Sequence, residues 1–499
     1  MKKSICVLHI LLLVQSCIEK PSSDGTTDSI KRVESGLTTF LQIEGDSTWS
    51  IEERMEHYGI PGVSVAVIDD GKIAWTKGYG VMDRESKDPV TRQTLFQASA
   101  LSIPVSAYGA LRLVEEEKVT LDENINNYLK SWQLPETEFT KEKKATIRNL
   151  LNHSAGITLH ATPAYSLEST IPTLIEVLNG TSPAANEPIM VNREPDVSFY
   201  ISYTGYGIIQ QMMMDIEGKE FPEIMDDLVL QPLGMTNSTF SASLSTEQVS
   251  RAATAYLQDG STVEGKRFVH PVLAGRGLWA TAEDLAKFII HIQQTLKGNR
   301  TSGLSREMTE LMVTPHSVSS YGPGFEYGLG FQIFDRKDET YLRHWGWNDG
   351  FYAEMVAHRN KQYGVVVMTN TTSPSFNGEV IRAVAQAYEW DNYVPIYKRV
   401  EIEPSLVDQI TGRYQGEDVT VDVFHKEGQV FVKNIDEEST EELIRVADSL
   451  FVRRNASRLI KFKQDPKNSG VVQLAYLNRN DEAVVSALTK VKESAPPEE

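Results

Sequence analysis

Few residues in this chain stand in a pattern that performs chemistry by itself. Gly62-Val63-Ser64-Val65-Ala66 comes within one residue of the Gly-x-Ser-x-Gly elbow that lifts a nucleophilic serine onto a sharp turn. Its last glycine is missing and the serine sits inside an alternating apolar run, so a strand interior is the better reading. The ten histidines are scattered, none beside a second histidine or a carboxylate at a metal-ligand spacing. No Walker loop, dinucleotide fingerprint, His-Glu-x-x-His pair or EF-hand loop occurs, and no cofactor is implied. The two cysteines, Cys6 and Cys17, both lie at the N-terminus, which excludes disulfide, zinc–thiolate and cysteine-nucleophile chemistry from the remainder.

What remains is a set of short patterned segments that need secondary structure to position them. The first is Leu95-Phe96-Gln97-Ala98-Ser99, followed by the run from Leu111 to Asp122. Asn149 to Gly156, Phe199 to Gly207, Pro232-Leu233-Gly234-Met235, Gly277-Leu278-Trp279 and His344 to Phe351 come after it. Pro61 to Lys77 reads as a β-hairpin: Val63 to Val67 alternates, Asp70-Gly71 makes the turn, and Ile73-Ala74-Trp75 begins the return. Helices are expected over Val105 to Glu117 and over Glu283 to Gln294, where Leu285, Phe288, Ile289 and Ile292 keep helical spacing behind the N-cap candidate Thr281. Tyr352 to Met355 and Tyr363 to Met368 read as paired strands. Strands at both ends with helices between predict an α+β sandwich, a sheet with helices on its faces. Beyond about residue 395 the chain reads as short strands only, at Val419 to Val423, Val430 to Val432, Leu450 to Val452 and Val471 to Leu474, which predicts a small all-β C-terminal domain.

The bulk properties set limits. A length of 499 residues allows two or three domains, and 40% hydrophobic with 23% charged residues is ordinary globular composition. A formal net charge of −19 argues against a nucleic-acid partner. The N-terminus carries Lys2 and Lys3, then an apolar run from Ile5 to Val14 too short to span a bilayer, as a signal peptide does. Val14-Gln15-Ser16-Cys17 resembles a bacterial lipoprotein box, with Cys17 as the lipid attachment site. A plain secretory signal cleaved nearby is the alternative. The expected organisation is a signal over 1–17, a polar tether over 18–34, a main domain over 35–395 and the all-β domain over 396–499. The protein is then exported and held at the bacterial cell envelope, in the periplasm or on the outer membrane.

Taken together and in order, the patterned segments resemble the serine β-lactamase-related family of class C β-lactamases, penicillin-binding proteins and related esterases and peptidases. Leu95 to Ala98 with Leu111 to Glu116 resembles the nucleophile helix, and Leu121-Asp122 its sequel. Leu150-Leu151-Asn152-His153-Ser154-Ala155-Gly156 resembles the Leu-Leu-x-His-x-x-Gly segment; Pro232 to Met235 and Gly277-Leu278-Trp279 with Thr281-Ala282 match two further landmarks. The resemblance spans about residues 35–395 and implies a β-lactamase/transpeptidase-like sandwich; the tail resembles the lipocalin-like domain of many members. The family's chemistry rests on three motifs. Ser-x-x-Lys supplies the nucleophile and its base, Tyr-x-Asn a proton shuttle and an amide holder, and Lys-Thr-Gly or His-x-Gly a polarised strand with an oxyanion-hole amide.

This chain departs from that pattern. Where members read Phe-Gln-x-Gly-Ser-x-Ser-Lys-Pro-Val, it reads Phe96-Gln97-Ala98-Ser99-Ala100-Leu101-Ser102-Ile103-Pro104-Val105, so Ala100 takes the nucleophile position and Ile103 the lysine position. Ile201 takes the tyrosine position and Tyr203 the asparagine position. Only His344-Trp345-Gly346 keeps the third motif, and no Ser-x-x-Lys occurs elsewhere. Removing one member alone would strand a buried polar partner at a cost of about 1–3 kcal/mol; replacing the whole network by apolar groups can be nearly neutral. A non-catalytic envelope lipoprotein is therefore expected. Its converted cleft, lined by Ala100, Ile103, Ile201, Tyr203, His344, Trp345 and Trp347, takes an apolar or aromatic acyl, peptide-like or glycan ligand, with Ala100 and Trp347 amides as a surviving oxyanion hole. The alternative for the tryptophans is that they only fill vacated space. The alternative function is a working serine hydrolase using Ser99 or Ser102, with His344 as base. Ser99 is expected to point away from the old attack position because a one-residue step on a helix turns the side chain by about 100°. A third possibility is an assembly role carried by the C-terminal domain; no motif sets an oligomeric state.

Overall fold

The computed structural model describes residues 23–300, 302–318, 326–417, 419–456, 458–465, 472–477 and 487–491. Cys17 and the signal-like segment lie outside the described residues. Among those residues no helix is long and apolar enough to cross a membrane.

The chain begins with helix α1 (Ser23–Glu34), the short strand β1 (Gln42–Ile43) and helix α2 (Ile51–Tyr58), then the hairpin of β2 (Gly62–Asp69) and β3 (Lys72–Gly80). Asp70 and Gly71 both have positive φ, as the expected two-residue turn requires. A largely helical stretch follows, containing α3 (Ser102–Glu115), α4 (Tyr203–Glu217) and α5 (Ala282–Leu296). Thr281 caps α5, its hydroxyl accepting from the Asp284 amide at 3.1 Å. The chain returns to the sheet as β4 (Ser317–Val318), β5 (Glu326–Tyr327), β6 (Gln332–Arg336), β7 (Glu339–Asn348), β8 (Phe351–His358) and β9 (Gly364–Thr369), followed by helix α6 (Pro374–Ala387).

These strands form one eight-stranded antiparallel sheet in the order β3-β2-β9-β8-β7-β6-β5-β4. The early and late strands of the sheet meet where β2 pairs with β9 in the register Val65↔Val367. Both faces are covered. Val63, Val65 and Val67 pack with Val356, Val365 and Val367 beneath α1, α2 and α6. Ala66, Ile68, Met355, Val366 and Met368 join the larger core with α3, α4 and α5. Period-2 alternation thus divides β2 between two apolar layers. Ser64 lies within β2, buried, with no hydrogen-bond partner for its hydroxyl, so the near-elbow is strand interior.

The predicted tether gives way to structure earlier than the sequence suggests: α1 begins at Ser23. The reason is tertiary. Val33 is fully buried against the α6 layer, Ile30 packs beside it, and Glu34 accepts from the Tyr79 hydroxyl at 3.0 Å and pairs with Lys77.

Beyond α6, β10 (Ile396–Tyr397) pairs in parallel with β1, then helix α7 (Pro404–Ile410) leads into strands β11 (Gly412–Gln415), β12 (Thr420–Lys426), β13 (Gln429–Asn434), β14 (Ser439–Ala447), β15 (Leu450–Val452), β16 (Leu459–Gln464), β17 (Val472–Leu477) and β18 (Leu488–Lys490). They close into a barrel. Tyr414, Phe451, Phe462 and the inward valines fill it, and the Tyr414 hydroxyl donates to Ile410 O at 2.7 Å, so α7 stoppers one end.

Candidate functional site

The segment that sequence reasoning placed at the head of a helix is a separate turn. Ser99–Leu101 is one 3₁₀ turn leading into α3. Ser99 sits there with φ +48°, in the left-handed region that favours glycine, which explains the glycine in the family pattern at this position. The helical-rotation argument for Ser99 therefore does not apply; hydrogen bonds fix its direction. Its hydroxyl donates to Trp347 O at 2.7 Å and lies 2.9 Å from Asn348 Oδ1. The Ser102 hydroxyl donates to Ser99 O at 2.5 Å and accepts from the Leu278 amide at 3.0 Å. Both fallback nucleophiles are buried, and both hydroxyl protons are held by backbone or amide oxygens.

Strand β7 lies directly on this turn. A Cβ on Gly346 would stand 2.3 Å from Ala98 O and 2.7 Å from the Ala100 nitrogen, so the third-motif glycine is needed for close approach of two backbones. Ala100 is buried and does not line the cavity between this turn and the facing wall. Ile103, the second residue of α3, is fully buried and does line it.

On the opposite wall, Ser202 caps α4 by accepting from the Gly205 amide at 3.0 Å. This leaves Ile201 just before the helix and Tyr203 at its first position. Ile103, Ile201, Tyr203, His344 and Trp345 converge as expected, joined by Tyr327 and Gln332, around a cavity of about 10 Å³. That is room for about one water molecule. The side chains that meet here leave little open space between the two walls. Trp347 does not line this cavity. It alternates outward from the Gly346 contact, is half exposed, and its indole Nε1 donates to Thr372 Oγ1 at 3.2 Å.

Behind the cavity runs a proton-ordered chain absent from the sequence reading. The Ser202 amide donates to His153 Nδ1 at 3.3 Å, so the His153 proton sits on Nε2, 3.2 Å from the Tyr327 hydroxyl. That hydroxyl donates to His344 Nε2 at 2.8 Å, and His344 Nδ1–H donates to Trp345 O at 3.1 Å. Every donor has one acceptor and both rings are neutral. Burial lowers both histidines to about 3. His344 Nε2 is thus committed to Tyr327, and Ser99 and Ser102 have other partners, so the proposed base contacts neither serine. His153 falls within the Leu-Leu-x-His landmark; the sequence offered no signal linking it to Tyr327.

Arg276 was also missed. Its Nη2 donates to Trp347 O at 2.9 Å, its Nε to Asn348 Oδ1 at 3.1 Å, and its guanidinium lies 5.5 Å from the Tyr203 ring centroid.

The sheet, its helical layers and a cleft between β7 and the α3 and α4 termini define a β-lactamase/transpeptidase-like fold. Residues 50–389 match the Beta-lactamase family, and the chain belongs to that serine hydrolase family. It is 22% identical over 369 residues to an unguisins hydrolase of Aspergillus violaceofuscus (strain CBS 115571), covering 67% of this chain and 62% of that protein, so it spans less than two thirds of this relative's length. It is 24% identical over 348 residues to a putative penicillin-binding protein, PbpX, of Bacillus subtilis (strain 168), covering 68% and 78%. Among solved structures, the octameric penicillin-binding protein homologue from Pyrococcus abyssi superposes with a TM-score of 0.57 at 20% identity, covering 88% of this chain and 98% of that one.

Proposed function

We propose that this protein is a non-catalytic member of its family, exported and lipid-anchored through Cys17 at the bacterial cell envelope, which binds a ligand or partner across the mouth of its former active site. One observation carries the reading: Ala100 and Ile103 stand where nucleophile and base are needed, and the two neighbouring serine hydroxyls are bound to oxygens of the fold. A weak hydroxyl nucleophile needs an adjacent base. Neither serine has one, which also weighs against the alternative of a hydrolase rearranged around Ser99 or Ser102.

The test is covalent labelling with a fluorophosphonate and with a fluorescent penicillin, beside a variant carrying Ala100→Ser and Ile103→Lys. The natural protein is expected to remain unlabelled. Labelling that disappears in Ser99→Ala or Ser102→Ala would overturn the reading. Anchoring is tested separately: Cys17→Ser is expected to move the protein from the membrane to the soluble envelope fraction.

A further inference from the structure

The cavity is small, and the residues around its mouth form a continuous rim. The Arg193 guanidinium lies 4.1 Å from the Tyr200 ring centroid, and Tyr200 is 6.3 Å from His160. His160 is 4.8 Å from Tyr203, Tyr203 faces Arg276, and Arg276 holds the backbone of exposed Trp347. Tyr200 is 38% and Trp347 50% exposed, among the largest exposures of any aromatic ring described. In a chain with a formal charge of −19, both cations of this strip lack a carboxylate within ion-pair distance among the described residues. Asp349 acts on Arg276 only at longer range, and Asp196, near Arg193 in sequence, is taken by Lys143 at 2.7 Å. One Arg193 Nη nitrogen is buried without a partner.

We propose, building on the non-catalytic reading, that this strip binds acidic oligosaccharides, with sugar rings on Tyr200 and Trp347 and carboxylate or sulfate groups on Arg193 and Arg276. Planar guanidinium forks match either anion. Aromatic faces in a row present flat apolar area with polar rims, which suits a pyranose ring. The edge of β7 argues against an extended peptide. Strand addition needs free carbonyls along the edge. The Trp347 carbonyl already accepts from both Ser99 Oγ and Arg276 Nη2, filling its two lone pairs, and Trp345 O accepts from His344.

The experiment titrates the mature full-length protein with oligogalacturonate, a sulfated heparin oligosaccharide, neutral cello-oligosaccharide and poly-glutamate, following tryptophan fluorescence and calorimetric heat. At least one acidic oligosaccharide is expected to bind, and the one that does identifies the anion. The neutral sugar and the acidic peptide are expected to bind at least about tenfold more weakly. Trp347→Ala and Arg193→Ala are each expected to weaken binding about tenfold, the scale of one charged hydrogen bond or stacked ring. Trp347 is half exposed and Arg193 part-buried, and circular dichroism of each variant establishes its fold before titration. Absence of binding to both acidic sugars, equal binding of poly-glutamate, or variants that bind unchanged would overturn the proposal. Probe labelling is unaffected by any of these outcomes, so failure here leaves the non-catalytic reading standing.

Discussion

At the scale of single residues, the candidate site is defined by where protons are fixed. Tyr327 donates to His344 and accepts from His153, and the Ser202 amide sets the direction of the whole chain. Both imidazoles must be neutral for this order to hold, since protonating His153 Nδ1 would oppose an N–H to an N–H. Their folded values near 3 lie below the ordinary 6.5, so the unfolded state binds more protons between about pH 6.5 and 3. Stability is therefore complete above pH 6.5 and is lost as pH falls through that window, at up to about 1.4 kcal/mol per pH unit for each histidine. Denaturant titrations between pH 7 and 4 should show this slope. His344→Asn should flatten it by one proton's share while lowering stability at pH 7; an unchanged slope would show that His344 does not carry it.

At the scale of elements, the site depends on how closely β7 lies on the 3₁₀ turn before α3. The contact is backbone on backbone, with Gly346 against Ala98 O and the Ala100 nitrogen. Gly346→Ala has no flexible side chain to displace, and is expected to cost about 1–3 kcal/mol as overpacking. It should also part β7 from Ser99, which hydrogen exchange at Ser99 to Ile103 would report as lost protection. Unchanged protection would mean that the turn is held by α3 alone. The same contact gives Gly346 a steric role of its own, independent of any chemistry in the cleft.

At the scale of the whole molecule, the two units share more than a linker. β10 pairs with β1, so the expected boundary at 395/396 falls within a ribbon common to both. Leu41 and Ile43 bury against Ile444, Val452, Leu459 and Leu477 on the outer barrel wall. Arg454 clamps Asp46 with two bonds of 2.8 and 2.9 Å and also holds Glu442 at 2.7 Å. Truncation after residue 395 exposes this apolar face, and the shortened protein is expected to aggregate or dimerise in size-exclusion chromatography. Full-length Arg454→Ala is expected to remain monodisperse but to gain protease sensitivity between Ile396 and Glu403. A truncated protein that stays soluble and monomeric would show that the barrel is an independent module.

The sequence by itself determined which residues stand at the family's motif positions and much of the frame. Ala100, Ile103, Ile201 and Tyr203 are identities, visible wherever the ordered landmarks can be aligned. The β2–β3 hairpin and α5 follow from local rules, an Asp-Gly turn and a threonine cap on a periodic helix. Tertiary structure decided everything that depends on distant residues meeting. His153, Tyr327 and His344 form one chain across 191 positions, and no spacing rule encodes that. Arg276 reaches Tyr203 and Trp347 only because the segment before α5 packs between α4 and β7. The polar sequence of α1 suggests a tether, whereas its order comes from burying Val33 rather than from propensity. The cavity's size was also beyond the sequence, which names the residues at the family's motif positions but not how far their volumes fill the space between the two walls.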